Sequence, residues 1–136
     1  MQYLLAEMRA YDALAKGDSA AATTAFDALS DSLFSIPLDQ FVRARLVERT
    51  DPKRALAMLE SKHFSPGLEA VARELEIGRL AEKTNDTRRA VEAYAYVANA
   101  WAHTDSEQLR NAMRESRAAL ARLDADGKLR AQLAPR

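Results

Sequence analysis

The chain has 136 residues, of which 48% are apolar and 29% are charged, and its 20 basic residues balance its 20 acidic ones. This composition is typical of one soluble globular domain and excludes a disordered or collagen-like chain. A formal net charge of zero gives no global field that would attract nucleic acid or anionic lipid. The sequence has no Cys, which excludes disulfides and thiolate metal sites.

The first residues do not form the basic segment and apolar run of a signal peptide, and no stretch is apolar over the length of a membrane helix. We therefore expect a cytoplasmic protein without membrane contact. The sequence enters a helical pattern at once, as a piece of a longer protein would. Residues 125–136, with Gly127 and Pro135, are expected to form a flexible tail.

Helical periodicity and helix-breaking residues predict about seven amphipathic helices. Gly17 ends the first helix, Pro37 and Pro66 mark two further breaks, and Thr104 with Glu107 forms a capping box before the last helix. No stretch alternates with period two, so the predicted fold class is all-α. The helices are expected at approximately 3–16, 19–33, 38–49, 52–61, 67–83, 87–102 and 106–124.

One pattern recurs three times: an Asp is followed four residues later by Ala and eight residues later by a bulky apolar residue. The spacing between copies is 33 and 35 residues, counted from Ala to Ala. A period in this range indicates stacked antiparallel helix pairs. The copies are Asp18 with Ala22 and Phe26, Asp51 with Ala55 and Leu59, and Asp86 with Ala90 and Tyr94.

The repeated Ala lies early in the second helix of each pair, where a larger side chain would push the pair apart. The bulky residue lies one turn later on the same face and is expected to fill the space between pairs. Gly78, inside the fifth helix, is expected to allow a close approach, with Ala90 opposite it.

These residues resemble the tetratricopeptide repeat, which has a Gly or Ala in its first helix and an Ala and an aromatic, four residues apart, in its second. The resemblance implies an α-solenoid with units at about 3–34, 38–64 and 67–102 and a capping helix at 106–124. The third unit matches with Gly78, Ala90 and Tyr94, and the first with Ala10, Ala22 and Phe26.

The second unit departs from this pattern. Arg43 stands where a small residue belongs, and Leu59 replaces the aromatic. We therefore expect this unit to be loosely packed or shortened.

A narrower resemblance concerns residues 93–123, where Tyr94 and Trp101 precede an acidic cap motif and an Ala-Leu-rich helix. This is similar to the C-terminal region of bacterial multidomain signalling proteins that carry a Ser/Thr kinase or transcriptional-regulator domain. None of the kinase motifs is present in the sequence.

In tetratricopeptide arrays the first helix of each pair lines a concave groove, so the resemblance implies a protein or peptide partner in that groove. The alternative is that the apolar members of this set pack between repeats. Candidate groove residues are Leu4, Glu7, Met8 and Tyr11, then Gln40, Phe41, Ala44 and Val47, and finally Leu75, Glu76, Arg79 and Glu82.

Other functions find less support in the sequence. His63 and His103 are isolated, so no metal site or cofactor is expected. Arg110, Arg114 and Arg117 form a stripe, but Glu107, Glu115 and Asp124 interrupt it, so we expect a solvated face and no nucleic-acid partner. No Gly-rich phosphate loop, carboxylate pair or Ser/His/Asp arrangement supports catalysis.

The sequence therefore predicts a non-catalytic protein-interaction module. The alternative is a segment for self-association or autoregulation of a bacterial kinase or regulator. Tyr3, Leu4, Leu5, Met8, Tyr11 and Leu14 surround most of the first helix, which predicts an apolar N-terminal face that upstream repeats or a second copy in a homodimer would cover.

Overall fold

A computed structural model describes residues 2–29, 37–61, 68–100 and 105–133. The chain divides into two compact units, Met1–Leu59 and Glu60–Arg136. The predictions for residues 30–36, 62–67 and 101–104, which include the break at Pro66, both histidines, Trp101 and Thr104, lie outside the described residues.

The described residues form helices and no strands, which confirms the predicted all-α class. They contain eight helices where the sequence analysis predicts about seven. None of these helices combines the length and apolar character needed to cross a membrane. The helices are α1 (Gln2–Ala15), α2 (Ser19–Ala28), α3 (Pro37–Val47), α4 (Pro52–Glu60), α5 (Leu68–Lys83), α6 (Thr87–Asn99), α7 (Glu107–Leu123) and α8 (Lys128–Leu133).

The same turn joins α1 to α2 and α5 to α6. Gly17 and Asn85 adopt positive φ angles of 76° and 62°, and the following Asp N–H donates to the carbonyl five residues back, Ala13 or Ala81. This is the Schellman ending of a helix, and it needs a residue that tolerates the left-handed region. The Asp side chain then accepts the N–H three residues on and caps the next helix, at 2.9 Å for Asp18 and 3.0 Å for Asp86.

The α3–α4 connection is built differently. Asp51 caps α4 by accepting the Arg54 N–H at 2.9 Å, but its own N–H donates to Val47, four residues back. Thr50 precedes Asp51, and a β-branched residue disfavours positive φ. Among the described residues, α3 packs mainly on α2, and its interface with α4 is less extensive than those of α1 with α2 and α5 with α6.

The repeated Ala and bulky positions are buried in all three copies. Ala22, Ala55 and Ala90 are fully buried, as are Phe26 and Leu59, and Tyr94 is 2% exposed. Ala10 packs with Phe26 in the core of the first unit. The sequence period therefore identifies core positions correctly.

Arg43 occupies the position that Ala10 and Gly78 hold in the other copies. Its guanidinium donates to Asp27 Oδ1 at 3.1 Å, and Arg54 donates to the same oxygen at 3.0 Å. In the first unit, one carboxylate on α2 thus connects α2 to α3 and α4.

Gly78 lies under the ring of Tyr94, where α5 and α6 pack. A β-carbon at position 78 would lie 2.8 Å from Tyr94 Cε1 and 2.9 Å from Cζ, closer than real β-carbons approach other atoms. The sequence predicts Ala90 opposite Gly78, whereas the atoms nearest to a β-carbon at position 78 belong to the Tyr94 ring. Ala90 is buried one turn earlier.

The last long helix, α7, packs along α6, and its N-cap is Ser106, which accepts the Leu109 N–H at 3.5 Å. The predicted capping box begins at Thr104, which lies outside the described residues. The N-cap lies two residues later, so Glu107 is the first helical residue instead of the third.

The eighth helix lies in the segment for which the sequence predicts a flexible tail, and it contacts α6. Asp124, which is 3% exposed, accepts the backbone N–H groups of Leu129 and Arg130 at 3.0 and 3.1 Å. The Arg130 guanidinium donates to the same carboxylate at 2.9 Å and to the Asp124 carbonyl at 3.0 Å. These four bonds hold α8 against the end of α7.

We predict that Gly78→Ala destabilises the protein by about 1–3 kcal/mol, because the new methyl group would displace the Tyr94 ring. At an uncrowded helix position the same change would stabilise the protein by about 0.5–1 kcal/mol. The sign of the change in the free energy of unfolding therefore distinguishes a crowded site from an open one. Urea unfolding followed by circular dichroism gives the free energy. The additional substitution Tyr94→Leu should recover part of the loss, and a stabilised Gly78→Ala variant would contradict the packing.

We predict that Asp124→Asn loosens α8. Burial alone would raise the pKa of Asp124, but the hydrogen bonds from Leu129 and Arg130 and the Arg130 charge lower it below its ordinary 3.8. The carboxylate therefore stabilises α8 at neutral pH, and this contribution is lost as the pH falls below 3.8 through the folded-state pKa. Hydrogen exchange of the Leu129 and Arg130 amides should accelerate in Asp124→Asn and remain slow in the exposed control Asp126→Asn. Equal rates in both would contradict the anchoring role.

Candidate functional site

The N-terminal helix presents large apolar side chains to solvent. Leu4 is 62% exposed, Leu5 51% and Met8 67%. Leu4 and Met8 are four residues apart and Leu5 and Met8 three, so they neighbour one another on the helix surface. The exposure agrees with the apolar N-terminal face that the sequence predicts; the side chain of Tyr3 lies outside the described residues.

Tyr11 fixes this helix to its neighbours in the first unit. Its hydroxyl donates to Asp39 Oδ1 on α3 at 2.7 Å. Its ring meets Phe26 of α2 edge to face, with centroids 5.4 Å apart and planes at 86°. Because Asp39 is 2% exposed, the bond joins α1 to α3 at a buried point.

A cleft of about 390 Å³ lies beside this junction. Its apolar lining comes from both helices, with Leu14 on α1 and Phe41, Val42 and Leu46 on α3. Ser19 closes one side, and Arg45, Glu48 and Arg49 provide charged groups. The cleft can therefore take an apolar side chain with an anionic group beside it.

Helical spacing connects the cleft to the exposed residues. Leu4, Tyr11 and Leu14 lie at intervals of seven and three on one face of α1, so the apolar stripe extends from the exposed end to the cleft. On α3, Leu38 precedes Phe41 by three residues and is 61% exposed. We name this surface of the first unit the α1–α3 face; it comprises Leu4, Met8, Tyr11, Leu14, Leu38, Phe41, Val42, Arg45 and Arg49.

The twelve groove residues predicted from the sequence differ in their exposure to solvent. In the first unit, Leu4 and Met8 are exposed, and Glu7, Tyr11 and Phe41 are partly exposed. Gln40, Ala44 and Val47 are buried, so they support the fold and offer no surface to a partner. In the second unit Glu76 is buried as well, whereas Leu75, Arg79 and Glu82 are partly exposed.

Two of the candidates on α5 belong to an ion-pair network. Arg79 donates two parallel bonds of 2.7 Å to Glu115 of α7, and a third of 3.2 Å to the buried Glu76. These hydrogen bonds raise the pKa of Arg79, against the effect of burial, and the bond from Arg79 lowers the pKa of Glu115. The fork between guanidinium and carboxylate ties α5 to α7.

Glu82 is engaged from two sides. It accepts the Tyr94 hydroxyl at 2.8 Å and pairs with Arg122 at 2.8 Å. Burial, followed by the bond to Glu82, raises the pKa of Tyr94. Arg79 and Glu82 are thus committed to contacts within the second unit.

Four residues of the site are not among those predicted from the sequence: Leu38, Val42, Arg45 and Arg49. Leu38, Arg45 and Arg49 lie three, four and eight residues from Phe41 and share its helical stripe. The amphipathic pattern of α3 alone could therefore have predicted them. The tetratricopeptide pattern selects Gln40, Ala44 and Val47 beside Phe41, and the structure buries these three.

Comparisons of the chain with protein-family models, with curated proteins and with solved structures found no match. Within the described ranges, no group of three or more His, Cys, Asp or Glu side chains is placed to hold a metal ion.

We predict that Tyr11→Phe destabilises the chain by about 1.5–3 kcal/mol, since a buried carboxylate loses a hydrogen-bond donor while the aromatic contact is retained. Urea unfolding measures the change. Tyr96→Phe is the matched control, because Tyr96 is 46% exposed and should change stability by less than about 0.5 kcal/mol. Similar losses in both variants would contradict the role given to the Tyr11–Asp39 bond.

Proposed function

We propose that this chain is a non-catalytic interaction module that binds a segment of another polypeptide on the α1–α3 face. The observation that carries the proposal is the set of large apolar side chains, Leu4, Met8 and Leu38, which are more than half exposed on the two helices whose other residues line a cleft. Scattered exposed leucines need no explanation, but a grouped set beside a cleft is typical of an interaction surface.

The length of the apolar stripe on α1 suits a helical peptide. Ten residues separate Leu4 from Leu14, which is about 15 Å along a helix, or about three turns of a partner helix. An amphipathic helix would place apolar residues at intervals of three and four along this stripe. Arg49, which is exposed at the cleft, favours a partner with an acidic residue beside its apolar anchor.

We also propose that the chain is built from tetratricopeptide-like helix pairs. The identical Schellman turns and Asp caps of α1–α2 and α5–α6 support this, as do the buried Ala and bulky positions in all three copies. The altered α3–α4 turn marks the second pair as divergent.

A second candidate function is self-association through α1. Leu5 lies beside Leu4 and Met8 but is not part of the α1–α3 face, and its 51% exposure favours a partner that covers the outer side of α1. A homodimer would use the same patch on both copies.

The proposal is tested by selecting binders from a displayed library of random 16-residue peptides on the intact chain. We expect the enriched peptides to share apolar residues at helical spacing with an adjacent acid. Fluorescence anisotropy should show binding about tenfold weaker or more in Met8→Glu and in Phe41→Glu, because these changes place a charge in the apolar contact. Tyr96→Glu, an equally charged change on an exposed aromatic of the second unit, should leave the affinity within about twofold.

Enriched peptides that bind all three variants equally would contradict the proposed face. Light scattering separates the self-association candidate from it. A homodimer through α1 predicts a doubled mass that Leu5→Glu returns to the monomer value, whereas binding of a foreign peptide does not require any dimer.

A further inference from the structure

The outer face of α7 carries a row of arginines. Arg110, Arg114 and Arg117 are exposed and lie at intervals of four and three, so they form one stripe about 10 Å long. Taken from the sequence alone, the stripe is interrupted by acids and resembles an ordinary solvated face.

The structure shows that two of these acids are already neutralised from within the second unit. Glu115 is held by both nitrogens of the Arg79 fork at 2.7 Å. Asp124 is buried and bonded to Arg130 and two backbone N–H groups. The remaining acids near the stripe, Asp105 and Glu107, lie at the N-terminal end of α7.

Within the part of the chain that the structure describes, the three arginines form no ion pair with a carboxylate. Arg110 donates to the Asp105 backbone carbonyl at 2.8 Å, and Arg114 donates to the Asn111 side-chain oxygen. Both acceptors are neutral. None of the described carboxylates pairs with Arg117, so the stripe is more positive than the sequence suggests.

A cleft of about 380 Å³ continues the stripe at its C-terminal end. Arg117 belongs to both features. Ala95 and Ala98 of α6, with Leu120 and Ala121 of α7, contribute mostly small apolar side chains to the cleft, and Asn99, Ala125 and Arg130 complete it. Polar atoms make up the larger part of its exposed surface. Small lining residues leave space for a side chain from outside.

We propose that this stripe and cleft bind an acidic helical segment of a partner protein. Carboxylates spaced three and four residues apart on that segment pair with Arg110, Arg114 and Arg117, and one apolar side chain enters the cleft. The site shares no residue with the α1–α3 face, and neither proposal depends on the other.

A protein segment fits this surface better than nucleic acid. The chain has no net charge, so no long-range field concentrates a polyanion around it. Non-specific binding of nucleic acid gains its affinity from many phosphate contacts, and three arginines supply few. The cleft beside the charges, with Ala95, Ala98 and Leu120 in its lining, is a feature that phosphates alone would leave empty.

The test uses the intact chain and a fluorescein-labelled 16-residue helical peptide with Glu at positions i, i+4 and i+7 and one Leu beside them. Two further peptides carry Lys in place of Glu or Ala in place of Leu, and a labelled 20-nucleotide single strand represents nucleic acid. Anisotropy is measured at low and at physiological salt, since exposed ion pairs weaken with ionic strength.

We expect the acidic peptide to bind more tightly than the Lys peptide and the oligonucleotide. Arg114→Glu/Arg117→Glu should weaken it by about tenfold or more at low salt. The control Arg88→Glu/Lys53→Glu, which makes the same change in net charge at exposed positions on α6 and α4, should weaken it by less than about threefold. Ala121→Phe, which fills the cleft, should reduce the affinity of the Leu peptide to that of the Ala peptide.

Three results would overturn the proposal: no detectable binding of the acidic peptide, equal losses in the two charge-reversal variants, or tighter binding of the oligonucleotide at the same salt. Circular dichroism of each variant verifies that the fold is retained, and all substituted side chains are exposed. The Met8→Glu variant of the first unit should bind this peptide normally, so failure of one site is distinguishable from failure of the other.

Discussion

The contact of Gly78 with the Tyr94 ring is the constraint on which the second unit depends. Only a residue without a β-carbon allows the ring to lie 2.8 Å from where that carbon would be. The position of the ring sets the position of its hydroxyl, which bonds Glu82, and Glu82 in turn pairs with Arg122 of α7. This glycine therefore acts together with the Arg79–Glu115 pair in setting how α5, α6 and α7 pack. The glycine lowers helix propensity, and the buried aromatic ring offsets this cost.

Much of the helical architecture follows from local chemistry that the sequence displays. Gly17 and Asn85 can adopt the left-handed conformation, and the Asp after each of them caps the next helix, so two turns could be derived from three-residue patterns. The 33–35-residue period then identified buried positions, because the same turn places the same face inward each time. Thr50 occupies the position that Gly17 and Asn85 hold in the other two turns, and it disfavours the left-handed conformation. The packing of α3 and α4 differs accordingly.

What the sequence could not provide depends on long-range partners. In the sequence, Asp124 is an ordinary charged residue near the end of a predicted helix. Its role depends on the hydrogen bonds that Leu129 and Arg130 donate to it, which the sequence does not reveal, so α8 was not predicted. The same holds for the candidate site. Whether Gln40 or Phe41 faces outward depends on how α3 packs against its neighbours, and periodicity alone allows several stripes. The exposure of Leu4 and Met8 was easier to predict, since apolar residues surround most of α1 and one helical neighbour cannot cover them all.

The distribution of charge links stability to surface character. A net charge of zero suggests a neutral surface. Within the second unit, however, several carboxylates form ion pairs with arginines: Glu76 and Glu115 pair with Arg79, and Asp124 pairs with Arg130. Exposed ion pairs contribute about 0–1 kcal/mol each, so the partly exposed Arg79–Glu115 pair adds little to the free energy of unfolding. Its larger effect is on the potential of the surface, because each carboxylate that is bound internally no longer balances an arginine on the outer face of α7. The residues that fix α5 and α8 against α7 therefore also decide which charges α7 presents to a partner.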